Sequence, residues 1–149
     1  MSEERWDRRF LRLAETWANE CSKDPSTKVG AVLVSPDRKQ VILGYNGFPS
    51  RVMDLEERLN DRERKYRLMV HAEVNAILNA QRPLDLYTLY IYPIISCSAC
   101  ALLVIQSGIR RVVSYYPSSD IVQRWGDSLN YSRSLFMEAG IEVREYERL

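Results

Sequence analysis

A chain of 149 residues, 46% hydrophobic and 28% charged, has the make-up of one ordinary globular domain. Its formal net charge of +1, with both signs mixed along the chain and no basic tail, gives no electrostatic reason to expect a nucleic acid as partner. The opening Met1-Ser2-Glu3-Glu4-Arg5 lacks an apolar signal core and no run of about 18 apolar residues occurs, so a cytoplasmic protein without a membrane span is expected.

Trp6, Phe10, Leu13, Ala14, Trp17 and Cys21 recur at three- and four-residue steps, which predicts an amphipathic helix with Cys21 as a small buried residue on its stripe. Ser22-Lys23-Asp24-Pro25-Ser26 then breaks the helix. Residues 30–34 and 40–45 read as two strands joined at Pro36-Asp37-Arg38, an antiparallel hairpin that ends in the turn Gly44-Tyr45-Asn46-Gly47-Phe48-Pro49. Residues 54–67 are dense in Asp, Glu, Arg and Lys, the composition of a solvated helix or flap. A second helical pattern starts at His71, continues through Val74, Ala76, Ile77 and Ala80, and stops near Pro83. Residues 87–92 alternate as a strand up to Pro93, and the almost continuously apolar 97–107 closes on Gly108, a natural helix C-cap. Residues 111–116 form a further strand, 119–139 a helix interrupted near Gly126, and 141–146 a final strand.

Strands alternating with helices in the second half imply parallel pairing through crossovers, and the hairpin adds an antiparallel pair. The expected fold is α/β: a three-layer α-β-α sandwich around a mixed five-stranded sheet, in one domain over residues 1–149.

The chemistry concentrates in two short runs. The only histidine, His71, opens His71-Ala72-Glu73, and Cys97 and Cys100 follow as C-x-x-C. One imidazole and two thiolates are a three-ligand set for zinc, one short of a closed structural site. The open position admits water, whose pKa a catalytic zinc lowers from about 15.7 toward about 7. Glu73 lies two residues beyond His71. As a carboxylate beside the metal it could take that water's proton and pass it on to a substrate. Both cysteines fall at a helix start, where free N–H groups stabilise thiolates. The same residues admit a closed Cys3His zinc site that adds Cys21, or a redox pair that leaves His71 and Glu73 idle. A non-catalytic zinc protein that binds nucleotides is a further reading, and it has no need of a proton carrier at Glu73.

H-x-E followed by C-x-x-C resembles the signature of zinc nucleobase deaminases. The likeness extends through Ser22-Lys23-Asp24-Pro25-Ser26, Val29-Gly30-Ala31-Val32, Gly44-Tyr45-Asn46-Gly47 with Pro49, and Lys65-Tyr66. It continues through His71-Ala72-Glu73-Val74-Asn75-Ala76-Ile77, Cys100-Ala101 into Ile105-Gln106-Ser107-Gly108-Ile109, then Leu135-Phe136 and Ala139-Gly140-Ile141. The chain thus resembles the cytidine and deoxycytidylate deaminases, and among them the deoxycytidylate (dCMP) deaminases.

That resemblance implies sheet order 2-1-3-4-5 and hydrolysis of dCMP to dUMP and ammonia. It implies one Zn2+ held by His71, Cys97 and Cys100, with Glu73 as proton shuttle. Asn46 would meet the sugar hydroxyl, although Asn-Gly is also a turn signal by itself. Ala72, Val29 and Ala31 would line the base pocket. Lys23 and Ser26, a cation and a hydroxyl suited to a dianion, would contact the phosphate, or else serve as loop lysine and cap. Tyr115 and Tyr116 read as packing residues, with stacking on the pyrimidine as the other role. Another cytosine nucleotide, including 5-substituted dCMP, is the alternative substrate. A tRNA adenosine deaminase is disfavoured by the lack of basic clustering.

The likeness further implies a homo-oligomer, a hexamer favoured, with dCTP and dTTP effectors and Mg2+ at Gly44, Tyr45 and Gly47. Two features depart from the family. Ser96 stands where proline usually precedes the first cysteine, and one His with one spare Cys cannot build the second zinc site of some relatives.

Overall fold

The computed structural model describes residues 2–149. The hairpin forms as β1 (Gly30–Val34) and β2 (Val41–Tyr45), antiparallel from Gly30 opposite Tyr45 to Val34 opposite Val41. Three more strands follow: β3 (Thr88–Tyr92), β4 (Arg111–Tyr115) and β5 (Glu142–Tyr146). The sheet order is β2-β1-β3-β4-β5, as expected, with β1 antiparallel to both neighbours and β3, β4 and β5 parallel.

Strand alternation feeds two cores. Val32, Val34, Tyr90, Val113, Tyr115 and Tyr146 pack under α1 (Glu3–Cys21). On the opposite face Ala31, Leu33, Leu89, Ile91 and Val112 pack against α4 (Ala72–Ala80), α5 (Ser98–Gln106) and α6 (Ser119–Glu138). The charged stretch forms two short helices, α2 (Glu56–Leu59) and α3 (Arg62–Leu68), in which Lys65 alone is buried. No helix among the described residues is long and apolar enough to cross a membrane.

Two expectations need correction. The buried stripe of α1 is Asp7, Phe10, Leu11, Ala14 and Ala18, while Trp6, Leu13, Trp17 and Cys21 are only partly covered. The cause is the closeness of helix and sheet: a Cβ on Gly30 would lie 2.0 Å from the Ala14 carbonyl oxygen. Only alanine fits along that seam, so the indoles lie at its margins. Nor is α6 broken at Gly126. One glycine costs a helix about 1 kcal/mol, and buried Leu129, Ser132 and Phe136 outweigh it.

Asp7 pins α1 to the sheet. It is fully buried and accepts from both terminal guanidinium nitrogens of Arg111 (2.7 and 2.6 Å), from Tyr90 (2.9 Å) and from Tyr146 (2.7 Å). Burial pushes this carboxyl up, but hydrogen bonds from Arg111, Tyr146 and Tyr90 more than reverse that and hold it below the ordinary 3.8. A depressed acid contributes stability above its ordinary pKa and loses it as pH falls toward the lower folded value. Asp7→Ala is therefore expected to cost about 3–5 kcal/mol in urea unfolding, since it removes the buried partner of Arg111, which keeps only the exposed Glu3 and Glu142, and leaves the Tyr90 and Tyr146 hydroxyls without their acceptor. The stability gap between wild type and Asp7→Asn should shrink as pH is taken below 3.8. A gap constant down to about pH 3 would refute the ionic character of the pin.

Candidate active site

Strand direction decides where the two motifs meet. Gly30 pairs with Tyr45, the last residue of β2, and with Tyr92, the last of β3. Both strands thus end at the same end of the sheet, and α4 and α5, which follow them, lie on one face. Their N-termini converge at the carboxyl ends of the strands, the crevice in which open α/β sheets take ligands. His71 is the N-cap residue of α4 and Cys97 that of α5.

Each helix is held in place. A Cβ on Gly44 would lie 2.5 Å from the Ala72 carbonyl oxygen and 2.5 Å from the Ala76 nitrogen, so α4 rests directly on β2. Asn75 and Asn79 donate from α4 to the carbonyls of Tyr45 (2.8 Å) and Leu43 (2.9 Å) on that edge strand. At the start of α5 the Ser98 amide donates to Ser128 Oγ at 3.0 Å, which fastens it to α6.

His71 Nδ1 lies 3.0 Å from Cys100 Sγ and 3.7 Å from Cys97 Sγ, and the three donor atoms fall within 4.8 Å of one another. Zn–S bonds of about 2.3 Å and Zn–N bonds of about 2.0 Å space tetrahedral donors about 3.5–3.8 Å apart. The cluster closes on such an ion with small side-chain movement. Its electrostatics also ask for a cation. The Cys97 thiol is driven down to about 4, first by the hydrogen bond with Cys100 and also by His71, although burial opposes. Cys100 is pushed up by its hydrogen bond to Cys97 and by burial. Two thiols thus share one negative charge beside an imidazole whose pKa Cys97 raises against burial. A divalent ion would replace the shared protons and keep both sulfurs as thiolates. Cys21, at the far end of α1 on the other face of the sheet, is not part of this cluster, so no closed Cys3His site forms.

Glu73 sits on the first turn of α4 and is 4% exposed. Burial pushes its carboxyl up, while its own backbone amide, His71 and the Ser96 hydroxyl draw it back. Ser96 Oγ comes near Glu73 without making a hydrogen bond of full geometry. Among the described residues it is the one buried side-chain N or O atom with no partner.

The remaining expected site residues differ in burial and in partners. Asn46 is buried; its Oδ1 accepts from the Val29 amide and its Nδ2 donates to the Thr27 carbonyl, both at 2.9 Å. One lone pair and one N–H of that amide stay free. Ala72 and Ala31 are fully buried and Val29 half-buried. Lys23 is exposed and paired with Asp54 at 2.7 Å. Ser26 Oγ donates to Asp24 (3.0 Å) and accepts from Lys65 (2.6 Å), so its single proton is already engaged. Gly47 pairs with Val70 through both backbone bonds (3.1 and 2.8 Å), bracing the approach to His71, and Tyr45 is partly exposed. Tyr115 is buried edge-on to Tyr92 on the α1 face, and Tyr116 is exposed beside α6 and β5. Tyr115 thus packs in the core on the α1 face.

The Asp24–Lys65 pair, at 2.9 Å with side chains 5% and 6% exposed, is an element the sequence did not announce. Its lysine is disguised among exposed charges, and its partner lies 41 residues upstream. Two outcomes test the assembled site. Wild type is expected to retain one zinc per chain after dialysis and His71→Ala to lose it, measured by elemental analysis; metal retained by the variant would refute the ligand set. Gly44→Ala should weaken zinc retention against a chelator and lower Tm together, because α4 must move; retention equal to wild type would show that α4 tolerates the shift.

The comparisons with known proteins agree with this geometry. The profile of the cytidine and deoxycytidylate deaminase zinc-binding region matches residues 4–116. An uncharacterized deaminase in the luxG 3′ region of Aliivibrio fischeri is 40% identical over 141 residues, covering 93% of this chain and 92% of that protein. Human deoxycytidylate deaminase is 33% identical over 151 residues, 95% of this chain and 79% of that one. The crystal structure of dCMP deaminase from cyanophage S-TIM5, in complex with dCMP and dUMP, shares the fold with TM-score 0.72 at 22% identity, over 97% of this chain and 98% of that one. With its profile, its relatives and its His/Cys/Cys cluster in accord, the chain belongs to the cytidine and deoxycytidylate deaminase family, enzymes that hydrolyse a C–N bond.

Proposed function

We propose that this protein hydrolyses dCMP to dUMP and ammonia, with His71, Cys97 and Cys100 holding one Zn2+ and Glu73 carrying the protons. The observation that carries the reading is a buried carboxylate, Glu73, beside a three-donor cluster that leaves a fourth position open. The choice of a deoxycytidine nucleotide follows the human relative, named a deoxycytidylate deaminase.

Zinc supplies a Lewis acid that makes water a competent nucleophile at neutral pH. Glu73 takes one proton from the water as its oxygen bonds to C4 of the base, and delivers that proton to N3. It then takes the proton of the new C4 hydroxyl and delivers it to the exocyclic amine. The C4–N bond breaks, ammonia leaves, and a 4-oxo ring remains with Glu73 again ionised. Burial suits this work, because a carboxyl pushed up in pKa can hold a proton between the two transfers.

The free donor and acceptor of Asn46 suit a sugar hydroxyl, with Val29, Ala31 and Ala72 beside the base. Of the two expected phosphate contacts, Lys23 fits better than Ser26. Its partner Asp54 is also exposed, so exchanging a carboxylate for a phosphate costs little. Apolar side chains left exposed on α5 (Leu102, Leu103) and α6 (Val122, Trp125) support assembly of several copies.

The test is turnover of zinc-loaded protein on dCMP, CMP, deoxycytidine, dCTP and 5-methyl-dCMP, with products separated chromatographically. Conversion of dCMP ahead of deoxycytidine is expected; activity on another substrate alone would overturn the substrate assignment. Glu73→Gln should keep zinc and fold and lose turnover by about 10²–10⁴-fold. A variant as active as wild type would remove Glu73 from the mechanism.

A further inference from the structure

We propose that Ser96 is a positioning residue: its hydroxyl donates to the Glu73 carboxylate and sets the orientation in which Glu73 carries protons. The inference rests on the deaminase reading above. Ser96 is 1% exposed. Asp7, Asp24, Asn46, Lys65, Ser114 and Ser132 are also buried, and each has its hydrogen-bond partners. Ser96 Oγ alone among the described residues has none. An orphaned donor in an otherwise satisfied interior calls for a reason beyond packing.

Its place supplies the reason. Ser96 immediately precedes Cys97 on the loop that takes β3 into α5, so the segment that presents a metal ligand also faces the first turn of α4. Its hydroxyl comes into reach of the Glu73 carboxyl there, a group itself 4% exposed that keeps lone pairs to spare. Against the upward push of burial, the Ser96 hydroxyl is among the groups that favour the ionised carboxylate.

The mechanism has a use for such a donor. Glu73 must accept from water, give to N3, and repeat the sequence toward the amine through one oxygen, while rotation of the carboxylate would swing that oxygen away. A hydrogen bond to the second oxygen removes the rotation and keeps the working oxygen aimed at the base.

Ser96→Ala removes the hydroxyl and little else. With dCMP as substrate, kcat should fall about 10- to 100-fold, the range a charge-assisted hydrogen bond spans, with KM unchanged. Zinc stoichiometry and calorimetric affinity for dUMP should match wild type, and Tm should fall by no more than the loss of one buried hydrogen bond allows. Ser96→Thr, which keeps a hydroxyl, should recover most of the rate. In a Glu73→Gln background Ser96→Ala should have no further effect. A raised KM with kcat preserved would put the hydroxyl on substrate instead of Glu73 and overturn the proposal. Unchanged kcat and KM with a lowered Tm would leave Ser96 a structural role and overturn it equally. Failure of the underlying reading shows separately, as wild type inert on dCMP or Glu73→Gln fully active.

Discussion

The contact on which the site depends is the one between α4 and β2 at Gly44. With no Cβ there, the backbone around Ala72 and Ala76 rests on the strand itself. Gly44 lies opposite Ala31, so three alanines and a glycine make up the joint: Ala31 and Gly44 in the sheet, Ala72 and Ala76 in the helix. Small residues bring the first turn of α4 down to the end of the sheet, and that turn carries Glu73 with His71 just before it. Larger side chains would lift the helix and separate His71 from Cys97 and Cys100. Asn75 and Asn79 reinforce the same contact by bonding carbonyls that an edge strand leaves unpaired.

Buried polar groups in this molecule divide by whether they are satisfied. Asp7 has Arg111 and two tyrosines; Asp24 has Lys65, Ser26 and two backbone amides. Those clusters are saturated, and they hold α1 to the sheet and α3 to the loop before β1. The unsatisfied groups gather elsewhere, at the ends of β2 and β3: two thiols sharing one charge, a carboxyl raised by burial, and a hydroxyl with no partner. A folded chain tolerates that concentration of unmet bonding capacity where a cation and a polar substrate complete it. The neighbouring residues divide in the same way, since Ser26 is committed to the Asp24–Lys65 pair while Asn46 keeps capacity to spare.

The sequence by itself determined what local chemistry governs. Strand β1 at 30–34, the hairpin turn, the helix starts at His71 and Cys97 and the left-handed glycine, Gly108, just past the Ser107 cap of α5 were legible because turn residues, apolar period and caps act within a few positions. That His71, Cys97 and Cys100 come together was legible as well, because their residue types and spacing already suggest a shared ion. Tertiary structure alone decided the rest, and in each case the cause lies far away along the chain. The buried face of α1 follows the close approach of Gly30, which displaces both tryptophans to its margins. The partners of Asp7 lie 83 to 139 residues away, and those of Lys65 39 and 41. Gly126 stays helical because its neighbours bury against the sheet face. Whether the Ser96 hydroxyl has a partner depends on how the loop before α5 lies against α4. No periodicity reports that, because satisfaction of a polar group belongs to the space around it and not to its place in the chain.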